Sequence, residues 1–310
     1  MTRRAVVRRG EAEPARWELI RALAAVVDTG PRQSQAVVRA LDLPPLDAAQ
    51  HTAAFVLWCP PYAALHLGPE GKLGGAGADR VAGFWRALGL TPPSEPDHLA
   101  HLLALYAHLG EAEQRSEGSV AGSLGRARST LLTEHLWSWA PGYLGAVEDV
   151  AGPSLVRWAA LTREVLRREV AATAAAPALP LAMREAPGPL TAGIPPDELL
   201  DGILTPIRSG IVLTHPALAA IAGREGMGYR AGERRFCLRA MLEQNAAGTL
   251  RGLSDEARRW ERRHEREAGT EERVAGWWKS RAGATATVLA LGARRPLFDE
   301  RPDGECARHD

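Results

Sequence analysis

Pro92-Pro93-Ser94-Glu95-Pro96-Asp97-His98-Leu99-Ala100-His101-Leu102-Leu103-Ala104-Leu105-Tyr106 is the stretch on which the fold turns. A proline-rich entry leads into an apolar run with helical spacing. Ser94 reads as an N-cap, with Asp97 three residues on as a capping-box-like partner. Pro96 suits a first turn, where an N–H has no intrahelical acceptor to lose. The spacing therefore predicts one helix over 94–110. The helix dipole alone accounts for acidic residues at such a start, so Glu95 and Asp97 need a further reason before they are read as functional.

Outward from this stretch the pattern stays helical. Residues 15–28 carry Trp17, Ile20, Leu23, Ala24 and Val27 on one stripe, and 154–170 carry Leu155, Trp158, Leu161, Val165 and Leu166. Further helices are expected over 31–41, 46–57 and 76–88, and in a segment reaching Trp139, where Pro141 forces a break. A loop is expected over 60–75, and another over the Gly- and Ser-rich 116–125. No run alternates β-branched and polar residues, so the fold class is all-α. Residues 173–196, rich in Ala and holding Pro177, Pro180, Pro187, Pro189, Pro195 and Pro196, read as a linker. The expected organisation is a helical bundle over 1–172, this linker, a smaller helical unit over 197–285, and a weakly structured tail over 286–310. Within the second unit Thr214 caps a helix ending near Gly226, and helices follow over 231–245 and 254–268.

With 310 residues, 45% hydrophobic and 24% charged, the chain has material for an ordinary globular core. A formal net charge of +1 gives no general attraction to nucleic acid or anionic membrane. Lys72 and Lys279 are the only lysines; arginine carries nearly all the positive charge. Cys59, Cys237 and Cys306 are far apart and odd in number, which predicts neither a disulfide framework nor a metal site and fits a reducing compartment. The N-terminal arginine pairs lack an apolar stretch after them, and no apolar run approaches the ~20 residues of a membrane span. The expected location is cytoplasmic.

Four blocks in this order resemble the TorD/DmsD/NarJ-type chaperones, all-helical proteins that mature molybdenum-containing redox enzymes. They are Pro60-Pro61-Tyr62-Ala63-Ala64-Leu65-His66-Leu67-Gly68, then Arg80-Val81-Ala82-Gly83-Phe84-Trp85-Arg86, then Glu95-Pro96-Asp97-His98-Leu99, and finally His135-Leu136-Trp137-Ser138-Trp139-Ala140-Pro141. The resemblance covers about 46–170; residues beyond the linker lie outside it. It implies a cytoplasmic, non-enzymatic chaperone that binds the twin-arginine signal peptide and apo-form of a molybdopterin oxidoreductase catalytic subunit before export. The chaperone itself would need no cofactor or metal; the client would carry the molybdopterin. Paired arginines call for carboxylates that accept guanidinium beside an apolar trough. The expected peptide-binding residues are Glu95, Pro96, Asp97 and His98, with His101, Tyr62 and Trp85 at the trough and its rim. Partnership with nucleic acid or insertion in a membrane is not expected, and the chain would be a monomer or a domain-exchanged dimer.

Two other readings compete. Residues 213–239 resemble a helix-turn-helix, with Arg234, Arg235 and Arg239 on its second helix, which would suit a DNA-binding regulator. Glu95-x-x-His98 and Glu261-x-x-His264 have di-iron spacing, and His98, His101 and His108 share a helix face. The second copy, however, lies in an arginine-rich run that reads as a solvated face. No phosphate loop is present, since Leu73 follows Gly71-Lys72, and Gly122-Ser123-Leu124-Gly125 lacks the first glycine of a nucleophile elbow.

Overall fold

The computed structural model describes residues 9–69, 71–174, 178–267, 269 and 272–294. Among them there is no strand, only an isolated antiparallel bridge between Tyr62 and His98, and the fold is all-α. The first half holds α1 (Arg9–Asp28), α2 (Pro31–Ala40), α3 (Ala48–Thr52), α4 (Ala63–Leu67), α5 (Gly75–Ala87), α6 (Leu99–Arg115), α7 (Gly118–Thr130), α8 (Ala140–Val150) and α9 (Pro153–Ala171). Two π-helical turns, Ala53–Trp58 and Leu131–Leu136, prolong α3 and α7. The second half holds α10 (Leu181–Arg184), α11 (Pro196–Leu204), α12 (Pro206–Ser209), α13 (His215–Arg224), α14 (Arg234–Glu267) and α15 (Glu272–Arg294).

Several boundaries differ from the sequence expectation, each for a visible reason. α6 starts at Leu99, not Ser94. Residues 94–98 form a turn instead, in which the His98 amide donates to the Glu95 carbonyl at 3.2 Å. The cap of α6 is His98, whose Nδ1 accepts from the Ala100 amide at 3.2 Å. α7 begins at Gly118, inside the stretch read as loop. Its glycines let it lie close on α6: a Cβ on Gly125 would fall 2.6 Å from Glu113 Oε1. The helix expected over 231–245 does end at Asn245, whose non-helical backbone (φ −156°, ψ 85°) divides α14 into two limbs, but the second limb follows at once instead of starting at 254. Asn245 Oδ1 accepts from the Gly248 amide at 2.9 Å and so caps the second limb. Thr214 caps α13 as read, accepting from Ala217. Residues 286–294, expected as tail, continue α15 because Ala286 and Leu289 are buried. Residues 295–310, with Cys306, and Pro177 in the linker lie outside the described residues.

α1 lies along α6, and around them the core closes through a buried polar knot. Glu169 accepts from Arg16 Nε at 2.7 Å and from the Tyr106 hydroxyl at 2.6 Å, and Tyr106 accepts from Arg128 at 2.9 Å. Each buried charge therefore has a partner, which its desolvation demands. Trp17 packs directly on Gly110, the one residue of α6 small enough to admit it: a Cβ there would sit 2.3 Å from the indole ring.

The C-terminal helices share this core. Among the described residues, buried apolar side chains form one cluster from Trp17 to Leu289. Trp278 on α15 donates Nε1–H to the Ser138 carbonyl at 2.9 Å, and Asp149 on α8 takes Arg263 of α14 on both oxygens at 2.7 Å. The segment 178–190 is strapped down as well. Leu181 donates to Glu134 at 2.7 Å, Arg281 donates to the Pro187 carbonyl at 2.7 Å, and Met183 and Leu190 are buried.

Two consequences are measurable. Gly110→Ala should destabilise the fold by at least about 1–3 kcal/mol, the cost of overpacking a closed core, read from the urea unfolding midpoint. Burial also lowers the pKa of His66 to about 3 and those of His135 and His264 to about 4. The unfolded value near 6.5 is higher, so the unfolded chain takes up the protons first. Stability from these residues is then complete above pH 6.5 and is lost as pH falls towards 4. A shift to 4 corresponds to something on the order of 3 kcal/mol. Thermal midpoints should hold steady above pH 7 and fall between 6.5 and 4, with His264→Gln showing a shallower slope.

Candidate functional site

The site is built where two distant stretches of chain meet edge to edge. Residues 61–64 and 97–99 pair as a minimal antiparallel ladder: Leu99 donates to the Pro61 carbonyl at 2.8 Å, and Ala63 donates to the Asp97 carbonyl at 3.0 Å. Asp97 adds a side-chain bond, its Oδ2 accepting from the Ala64 amide at 2.9 Å. Ala64 stands in the first turn of α4, so Asp97 caps that helix from 33 residues away in sequence rather than capping its own. The early prolines make this possible, since Pro92, Pro93 and Pro96 keep 92–98 out of helix and free to run beside the other strand-like edge.

This geometry revises one expectation. Asp97 is 3% exposed and already serves two amides, so it is not an open acceptor for an incoming guanidinium. Burial raises its carboxyl pKa, with the Ala64 amide pulling the other way. His98 is buried too, its pKa lowered by burial and by neighbouring His101, which makes it a neutral cap and packing residue.

The remaining expected residues converge on the same loop. The Tyr62 hydroxyl donates to Glu95 Oε1 at 2.9 Å, and its ring meets His98 edge-on at 5.0 Å between centroids. His101 Nδ1 lies 2.6 Å from the Glu95 carbonyl, and Trp85 Nε1–H reaches the Pro96 carbonyl at 3.3 Å. All seven residues thus belong to one constellation, with Asp97 and His98 inside it and Glu95 at its surface. Glu95 is exposed, and among the described residues no cation pairs with it, although the chain has 38 Lys and Arg. Partial burial and the adjacent Glu95 charge push the Tyr62 phenol up to about 12, so it remains a donor. Just upstream, the π-helical turn before Cys59 leaves Val56 62% and Leu57 60% exposed.

Sequence reasoning did not find the backbone partners Pro61, Ala63 and Ala64, because no side-chain type announces them. It also did not find His66, which stacks on Trp139 at 5.1 Å and packs against Tyr143 beneath α4.

The competing readings lose their residues to internal bonds. Arg235 pairs with Asp201 at 2.6 Å and Asp197 at 3.0 Å, Arg239 pairs with Asp197 at 2.6 Å, and Arg234 donates to the Leu213 carbonyl at 2.9 Å. Arg235 and Arg239 are thus committed to carboxylates of α11, and Arg234 is half-buried with one N–H on a backbone carbonyl, so the three do not form an open row for reading base edges. The run around Glu261 is not wholly solvated: Trp260 and His264 turn inward, and His264 donates to the Gly210 carbonyl at 2.9 Å. His108 is exposed while His98 is buried. No group of three or more His, Cys, Asp or Glu among the described residues is placed to hold a metal ion, and no helix there is long and apolar enough to cross a membrane.

If Asp97 is the clasp between the two stretches, Asp97→Ala should cost about 1–3 kcal/mol, the penalty for orphaned buried donors, while Asp97→Asn keeps an acceptor and should cost less. Because the folded carboxyl pKa is raised, wild-type stability from this group is complete at low pH and declines as pH rises through the carboxylate range. The deficit of Asp97→Asn relative to wild type should therefore shrink between pH 4 and pH 7 in parallel urea titrations.

No curated protein matches the chain. A family model described as nitrate reductase delta subunit matches residues 22–144, which contain every residue of this constellation. Over that segment the chain is similar to the nitrate reductase delta subunit family, the family of the NarJ/TorD-type chaperones.

Proposed function

We propose that the protein is a maturation chaperone for a molybdopterin oxidoreductase, and that the constellation around Glu95 receives an arginine-bearing N-terminal peptide of the catalytic subunit. The observation that carries this reading is the Glu95 carboxylate. It is exposed and oriented by the Tyr62 hydroxyl at 2.9 Å, with no arginine among the described residues in contact. One oxygen is fixed by Tyr62 and the other faces solvent, an arrangement that a guanidinium can complete. The loop that carries Glu95 is rigid because Asp97 and the Leu99 amide tie it to 61–64. Rigidity lowers the ordering cost of binding.

An arginine pair followed by apolar residues also needs somewhere to lay the apolar part. Trp85 is half-buried beside Pro96, and Val56 and Leu57 are exposed on the turn that leads into Tyr62. We assign these the trough, with His101 at its rim. In this assignment Asp97 and His98 shape the site rather than touch the peptide. A catalytic subunit without an exported signal would offer an internal N-terminal tail to the same surface.

Titration of a synthetic peptide with two adjacent arginines and an apolar continuation tests the assignment. Glu95→Gln should weaken binding at least about tenfold, about 1.4 kcal/mol, with the thermal midpoint unchanged. A peptide with both arginines replaced by glutamine should bind as weakly to wild type and lose nothing more on Glu95→Gln. Equal affinity of wild type and Glu95→Gln for the arginine peptide would remove Glu95 from the site.

A further inference from the structure

On the far side of α4 from Asp97, a cavity of about 550 Å³ opens at the seam between the family-matched segment and the C-terminal helices. Pro69, Gly71 and Lys72 line it from the loop after α4, Asp201, Leu204, Thr205 and Arg208 from α11 and α12, and Glu233, Arg234 and Arg235 from the start of α14. The seam is close-fitting. Gly71 adopts φ +59°, and a Cβ there would come within 3.2 Å of Thr205 Cα. Any side chain in its place would be strained as well as crowded.

The charges in this cavity do not balance once existing ion pairs are counted. Arg235 already holds Asp201 and Asp197, and Arg208 holds Glu198 through Nη2 at 2.5 Å. What is left is Lys72 and Arg234 against Glu233 alone. Neither Lys72 nor Arg234 has a carboxylate in ion-pair contact among the described residues. Arg234 spends one N–H on the Leu213 carbonyl and has no other acceptor among the described residues, and burial lowers its pKa. Arg208 adds a buried Nε with no hydrogen-bond partner. A buried guanidinium N–H without an acceptor, as at Arg208 Nε, is costly, and an anion that meets it would relieve that cost.

We propose that this seam is an anion site for a phosphate-type dianion, either inorganic phosphate or the phosphate end of a small molecule, held between Lys72 on one side and Arg208 and Arg234 on the other. Phosphate fits better than a monocarboxylate, because it offers several acceptor oxygens at once to donors on three separate elements. The volume leaves room for more than one phosphate group, so pyrophosphate is the probe that reads the site most clearly. The site depends on the C-terminal helices for its arginines and on the family-matched segment for Lys72, so it exists only where both are present.

Isothermal titration of the full chain with inorganic phosphate and with pyrophosphate, at matched ionic strength against chloride, tests it. Saturable one-to-one binding is expected, tighter for pyrophosphate. Lys72→Gln should weaken it at least about threefold and Arg234→Gln at least about tenfold. Lys72 is exposed and makes no side-chain bond among the described residues, so its variant stays folded even if Arg234→Gln does not. Glu95→Gln should leave anion binding unchanged, which separates this site from the peptide surface. If pyrophosphate at ~10 mM gives no saturable heat, if Lys72→Gln binds as wild type does, or if phosphate and chloride act alike, the proposal fails. A free anion is distinguished from a phosphate ester by comparing pyrophosphate with a monoalkyl phosphate: comparable binding means only the terminal phosphate is read.

Discussion

A buried aspartate that takes two backbone amides of another segment, one on its carboxyl group and one on its carbonyl, holds the loop that carries Glu95 in place. Asp97 reaches Ala63 through its carbonyl and Ala64 through its side chain, and with Leu99 and Pro61 it fuses two loops that would otherwise be independent. Burying a carboxylate costs free energy, which charge-assisted bonds to backbone N–H groups offset in part. The outcome is asymmetric. Asp97 is buried, and its neighbour Glu95 is held at the surface. The same turn places Trp85 and His101 against the loop's own carbonyls, so the loop's shape is over-determined from three sides.

The C-terminal half is a structural partner of the first, not an appendage. Ion pairs at Asp149, the indole bond from Trp278 to Ser138, and the ion pair from Arg163 to Glu267 all cross between the halves. Ser138 lies in a block that resembles the chaperone family, yet its carbonyl is satisfied by a residue outside the matched segment. The linker prolines keep 178–195 mostly non-helical, but non-helical does not mean loose here. The strap is bonded at Leu181 and Pro187 and buries Met183 and Leu190 along its length.

How much of this could be read from sequence depended on whether the signal was carried by side-chain pattern or by tertiary pairing. The helices of the first half follow from apolar spacing, and the stripe of Trp17, Ile20, Leu23 and Val27 is buried as its period implies. Glu95, Tyr62, Trp85 and His101 could be nominated together because their types and order are characteristic. The true role of Asp97 could not, since its partner is an amide 33 residues away, and a local capping rule offers a plausible but different acceptor. Polar density misled at His264 and Trp260, where five arginines between 258 and 266 mask one inward-facing stripe. Glycine misled at 118–125, because its use there is close helix contact rather than a turn.

The bond from Trp278 to Ser138 has a consequence for synthesis of the chain. At 5–20 residues per second, the roughly 100 residues between the end of α9 and Trp278 take about 5–20 s to follow. Throughout that interval the first nine helices exist without the indole that will bond Ser138 and the apolar side chains of α15 that join the shared core. The nascent chain therefore carries a bare apolar face for seconds before α15 arrives. A protein assigned to hold an unfinished enzyme passes through the same exposed condition itself, and its strapped segment is what brings the covering helices back to that face.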